Sequence, residues 1–269
     1  MSKVPIVICA NLLIGLLSLI PQAVSANVGT AVFCPNNFQE GTDTNNEIIL
    51  SRATCAYIRD MLAAKYGGCY DSFDANCTVE RYVSILSTLK TSFNKAVVFS
   101  KGHRGYPYWN ASPPNWNHMS LLSNNGAPVI DNVHILPYTS TKNVFTFIWH
   151  CETAEKYPAG ALNPDSYGYY GMPYCWTTAM DPLMYPYATS GIRVYLGWWD
   201  GSPQFEYTAN GMWNFAHVAY LFWYFMCGGA TVNEALNYIA QTVYGVQYFS
   251  QTPLWWWLIA FGNVSLTLP

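Results

Sequence analysis

Apolar residues along this chain follow two rhythms. Short continuous runs rich in β-branched and aromatic residues occur at Thr30–Cys34, Lys95–Ser100, Val144–Trp149 and Ile192–Leu196. Such runs, too short for helices and bounded by polar and turn-forming residues, predict buried strands. Between them the spacing becomes helical. Glu47 to Lys65 places Ile48, Ile49, Ala53, Ala56, Tyr57, Met61 and Ala64 on a largely apolar face, and Gly67-Gly68 ends it. Thr78 is a plausible cap for a helix reaching Ser92, with Val79, Val83, Ile85, Leu86 and Leu89 as its apolar positions. Thr208 to Cys227 is apolar nearly all round, which predicts a buried helix stopped by Gly228-Gly229. Thr231 caps a further helix to about Tyr244, and Trp255 to Leu268 closes the chain as strand, Gly262 and strand. Strands that alternate with helices and are apolar throughout predict an α/β fold with a mostly parallel β-sheet covered by helices on both faces. Two stretches interrupt it, both rich in Tyr, Trp and Pro: 106–138, read as an inserted hairpin or a functional loop, and 157–187. No internal repeat is visible.

Residues 1–26 stand apart from this pattern. Lys3 precedes an apolar run from Val4 to Ile20, and Pro21 and Val24-Ser25-Ala26 lead to Asn27. That is the layout of a cleavable secretory signal peptide, with an uncleaved anchor as the alternative. The expectation is a secreted, extracellular chain whose residues 27–269 form one domain, with no stable membrane insertion after cleavage. Charged residues make up only 10% and the net charge is −3. Neither supports a nucleic-acid partner or an anionic membrane surface.

Cysteine count changes the picture next. Of 8 cysteines, Cys9 lies in the leader. Cys34, Cys55, Cys69, Cys77, Cys151, Cys175 and Cys227 remain. An exported chain tends to pair its thiols, and an odd number leaves one over. Cys69 and Cys77, close in sequence, suggest a local bridge. No C-x-x-C pair is present, acidic residues are few, and neither a metal nor any other cofactor is expected. Sequons at Asn76, Asn110 and Asn263 are candidate glycosylation sites in an exported chain.

The chemistry concentrates at two strand ends. The run Ala96–Ser100 leads through Lys101-Gly102 to His103, and Val144–Trp149 leads through His150 to Cys151. Ligands of parallel sheets sit beyond the carboxyl ends of the strands. A thiol beside an imidazole is the minimum equipment of a cysteine nucleophile with its base. The loop Trp198-Trp199-Asp200 follows a third strand on the same edge.

At these residues the chain resembles the caspase- and gingipain-like cysteine peptidases of clan CD. In that family an apolar strand ends in a His-Gly motif, and the next strand, about fifty residues later, ends in the nucleophilic Cys. The segments Cys55–Leu62, Gly191–Trp198, Gly228–Leu236 and Phe261–Leu266 are similar in order to the family's first helix, pocket strand, late helix and closing segment. The resemblance covers roughly Cys34 to Leu268 and implies a caspase-like fold carrying the two insertions. It departs from the family at Arg104, where a Gly is usual, with Gly105 next, and at His150 before the Cys.

The implied activity is peptide-bond hydrolysis through an acyl-enzyme on a peptide or protein substrate. Cys151 is the nucleophile and His103 its base and acid. Backbone N–H groups of Arg104 and Gly105 form the oxyanion hole, and Trp198, Trp199 and Asp200 line the substrate pocket. The resemblance requires no third catalytic residue. Asp200 reads either as a pocket carboxylate selecting Arg or Lys or as half of an Asp-Gly turn. His118, His134, His150 and His217 read as loop or core residues, although His217 with Cys151 would give a papain-like order. The alternative of another class is a catalytically weak or inactive caspase-like domain that binds extracellular peptide or glycan. Its aromatic segments would be 106–116 and 167–176.

Overall fold

The computed structural model describes residues 27–35, 43–103, 119–120, 129–130, 135–151, 153–154, 171–177 and 187–269. Residues 1–26, Asn110, Arg104, Gly105, His118 and His134 lie outside them.

Its centre is a six-stranded sheet of β1 (Val28–Cys34), β2 (Tyr70–Phe73), β3 (Lys95–Lys101), β4 (Asn143–Trp149), β5 (Val194–Trp198) and β6 (Leu258–Gly262). The spatial order is β2-β1-β3-β4-β5-β6, and every neighbouring pair is parallel except β5 with β6. Val32 pairs with Phe99, Phe99 with Phe147 and Phe147 with Leu196, so the central rows are apolar on adjoining strands. The expected mostly parallel α/β sheet is therefore present, with strands apolar on both faces as burial on two sides requires.

Each face carries its own core. On one, Val32, Val97, Phe99, Phe147, Trp149 and Leu196 pack against α1 (Asn45–Tyr66) and two later helices. On the other, Ala31, Phe33, Val98, Ile148 and Tyr195 pack against α2 (Val79–Ser92) and the short α3 (Gly171–Thr177). The later helices are α4 (Phe215–Cys227) and α5 (Val232–Tyr244). The caps follow from the sequence. Thr44 and Thr78 accept N–H bonds from Glu47 and Arg81, and Thr231 with Glu234 forms a reciprocal capping box.

Three expectations need correction. α4 begins at Phe215, because Thr208–Asn210 and Trp213–Asn214 form a hairpin turned at Gly211 (φ 54), and Asn214 caps the helix. The closing segment holds one strand: Pro253–Trp256 is a 3₁₀ turn, and Gly262 (φ 91) turns the chain out of β6. β2 is an edge strand whose polar Asp71 and Ser72 gave no strand signal. Of segments 106–138 and 157–187, the described parts are the antiparallel pair Met119–Ser120 with Val129–Ile130, residues 135–138, α3 and Tyr187.

Cys34, Cys55, Cys69, Cys77, Cys151, Cys175 and Cys227 are all free thiols. Cys77 turns inward toward Ser72 and Cys34, Cys34 also faces Cys55, and Cys69 donates to the Tyr70 carbonyl. The local Cys69–Cys77 bridge is absent. No helix among the described residues is long and apolar enough to cross a membrane.

Candidate active site

β3 and β4 run side by side with Lys101 opposite Trp149, and the Gly102 N–H donates to the Trp149 carbonyl at 3.2 Å. His103 follows the last residue of β3 by two positions and Cys151 follows the last residue of β4 by two, so the two leave neighbouring strand ends. Both leave the carboxyl edge of the sheet, where parallel sheets hold their ligands; β3 borders β1, where the strand order reverses, and β4 lies one strand further out.

His150 locks this edge together. Its Nδ1 lies 2.8 Å from the His103 carbonyl oxygen and its Nε2 2.9 Å from the Ser100 hydroxyl. A carbonyl only accepts, so Nδ1 carries the proton, and Nε2 accepts from Ser100. The ring is completely buried, and burial, aided by the positive charge of Lys101, pushes its pKa down to about 3. It is a neutral strut. Gly102 leaves room for it: a Cβ there would stand 2.5 Å from Cε1 of His150 and 3.0 Å from Pro35. The residue pair read as Gly-His and His-Cys in sequence is thus one packed unit.

Behind His103 stands a residue the sequence reading missed. Both carboxylate oxygens of Asp43 lie 2.9 Å from Nε2 of His103, and Oδ1 accepts from Gln204 Nε2 at 3.1 Å. The Asp43 side chain is 1% exposed and that of His103 28%. A carboxylate accepts, so Nε2 carries the proton and the basic nitrogen of the neutral ring is Nδ1. Asp43 sits just before the N-cap residue Thr44 of α1, in a polar stretch that carried no signal in the sequence.

A buried ion pair braces the floor. Lys101 Nζ meets Glu47 Oε1 at 3.0 Å. Glu47 also accepts from Ser51 and from the Glu206 backbone N–H, both at 2.9 Å. The lysine lies 5.0 Å over the Phe205 ring. The pair ties β3, the start of α1 and the loop after β5 into one frame.

The Cys151 sulfur is partly exposed. It accepts from the Ser202 N–H at 3.2 Å and lies 3.5 Å from the Ser202 hydroxyl. Among the described residues no hydrogen bond joins it to His103; the two follow the ends of adjacent strands. After Cys151 the chain crosses β5 at Gly197, where a Cβ would lie 3.0 Å from the Thr153 backbone. Tyr195 fixes this crossing by donating to the Thr153 carbonyl at 2.8 Å.

Trp198, expected to line a pocket, is instead enclosed in the core, its indole 4.7 Å from that of Trp149. Trp199 and Asp200 are exposed beside it, and the Trp199 N–H donates to the Trp257 carbonyl. His217 bonds Asn214 at the start of α4 and has no bond to Cys151. Asn76 is exposed, whereas the Asn263 amide is enclosed and donates to the Gly191 carbonyl at 2.8 Å, a bond a glycan there would displace. Among the described residues no cluster of His, Cys, Asp or Glu could hold a metal ion.

Comparison with known proteins returns no match to any family model. It returns no curated relative either.

Proposed function

We propose that this chain is a secreted cysteine endopeptidase of the caspase- and gingipain-like kind. The observation that carries the reading is that His103 and Cys151 follow the carboxyl ends of two neighbouring parallel strands, with the Asp43 carboxylate behind the imidazole. Two neighbouring strands that each lead to one half of a nucleophile–base pair, one of them bordering the sheet's switch point, are what an acyl-transfer site needs. Cys151 attacks the scissile carbonyl carbon. Its proton passes to Nδ1 of His103, the sulfur–carbon bond forms, and the protonated ring then delivers the proton to the leaving amine. Water, deprotonated by the same ring, hydrolyses the thioester and returns the thiol. Asp43 holds the ring in its tautomer and supports the imidazolium while it is charged.

Asp200 is exposed and unpaired among the described residues, which favours substrates with Arg or Lys at the cleaved bond. The test is a fluorogenic peptide panel on the chain from Asn27 onward. Turnover is expected to be abolished in Cys151→Ala and to be faster for Lys and Arg than for Glu or Leu. Cleavage that survives Cys151→Ala would refute the reading, and a flat side-chain profile would remove Asp200 from it.

A second reading, an inactive domain that binds peptide or glycan, is favoured by the exposed Trp199, Trp256 and Trp257 near the same edge. Binding of the uncleaved panel peptides with no turnover would select it.

A further inference from the structure

We propose that the backbone N–H of Ser202 is the group that holds the Cys151 sulfur and takes up its negative charge when the thiol becomes a nucleophile. This rests on the reading of Cys151 as a nucleophile and adds to it a second partner besides the imidazole.

The geometry is specific. Among the described residues, the sulfur is the only acceptor of the Ser202 N–H, at 3.2 Å. A neutral thiol is a weak acceptor and a thiolate a strong one, so the bond tightens as charge builds on sulfur. An interaction that is better in the charged state than in the resting state lowers the barrier instead of only stabilising the fold.

The N–H is also held rigidly. Pro203 follows, which confines the Ser202 backbone to extended conformations. Trp149 Nε1 donates to the Pro203 carbonyl at 2.9 Å, Gln204 donates to Asp43 at 3.1 Å, and the Glu206 N–H donates to Glu47 at 2.9 Å. Phe205 is buried between Trp149 and Lys101. Segment 202–206 is thus fastened to the strand that carries Cys151, to the acid behind His103 and to the buried ion pair. It fixes one N–H on the nucleophile's sulfur, and Asp43 is fixed on the imidazole by the same strap.

The test compares alkylation of Cys151 by iodoacetamide at pH 7, read by mass spectrometry of the peptide containing it. Ser202→Pro removes the N–H, and Ser202→Ala removes only the hydroxyl. The expected result is alkylation about tenfold slower in Ser202→Pro and at most about threefold slower in Ser202→Ala. Equal rates for Ser202→Pro and wild type, or a loss in Ser202→Ala as large as in Ser202→Pro, would overturn the proposal. Where Ser202→Pro fails to fold, Trp149→Phe replaces it, because it releases the Pro203 carbonyl and loosens the strap. A loss of about threefold or more is then expected, and an unchanged rate overturns the proposal. Alkylation needs no turnover. Rates that follow this pattern without peptide cleavage would keep the Ser202 role and remove the peptidase reading, and cleavage with an unaffected Ser202→Pro would do the reverse.

Discussion

The Asp43 carboxylate lies 2.9 Å from Nε2 of His103, across 60 residues of sequence. A buried carboxylate on one ring nitrogen decides which nitrogen is the base. Asp43→Asn keeps the size, offers an amide that can donate where only an acceptor fits, and removes the charge that supports imidazolium. Peptide turnover is expected to fall about a hundredfold or more in kcat, with KM little changed. A KM effect without a kcat effect would make Asp43 a binding residue instead. Initial-rate kinetics over a range of substrate concentrations separates the two.

His150 makes stability acid-sensitive. In the unfolded chain it titrates near 6.5, and in the fold its pKa is pushed down to about 3. Between these values the unfolded state binds a proton that the native state refuses, so stability rises with pH through this window. The contribution is fully present above about pH 6.5 and is lost as pH falls, amounting to about 2–3 kcal/mol at pH 4.5. His150→Asn keeps a donor for the His103 carbonyl and cannot gain a proton. Urea denaturation at pH 7 and pH 4.5 is expected to show a drop in wild type larger than in the variant by about that amount. Equal drops would mean that another group carries the acid sensitivity.

Gly102 and His150 should be coupled. Gly102→Ala drives a Cβ to 2.5 Å from the imidazole, and the neighbouring Pro35 leaves little room to shift. Overpacking of this kind costs about 1–3 kcal/mol. The same substitution in a His150→Ala background should cost less by about 1 kcal/mol or more. A double-mutant cycle on thermal or urea unfolding reads that difference, and additivity would show that the close approach is relieved elsewhere.

Lys101→Met leaves Glu47 buried without its cation. Removing one partner of a buried pair costs about 3–5 kcal/mol, and replacing both costs far less. Lys101→Met is therefore expected to unfold at much lower urea than the double variant Lys101→Met/Glu47→Gln. The double variant keeps acceptor and donor atoms for Ser51 and the Glu206 N–H. The reverse order of stability would remove the ion pair from the frame beneath the site.

The parts of this fold that announced themselves are those whose side chains report their surroundings. β3 and β4 are apolar on both faces because both faces are covered, and their ends carried His103 and Cys151 into view. Thr78 and Thr231 marked their helices through short-range hydrogen bonding. Asp43 was hidden because its role depends on a pairing made by the topology of β1 and β3, which leaves no trace in neighbouring residues. His150 looked like a departure beside the Cys. Its purpose became clear only with Gly102, Ser100 and the His103 carbonyl around it. β2 escaped because an edge strand needs few apolar residues, and the α4 start was misplaced because Ala209, Met212 and Trp213 of the hairpin lead into the helix's apolar run.

The central claim is that Cys151 and His103 act as one unit. It is tested most directly by labelling the protein from Asn27 onward with a peptidyl acyloxymethyl ketone and locating the adduct by mass spectrometry. Wild type is expected to carry the label on Cys151 alone, His103→Ala to label at least about a hundredfold more slowly, and Cys151→Ala not at all. Labelling of Cys151 at the same rate with and without the His103 imidazole, or no preference for Cys151 over the other six thiols, would contradict the account.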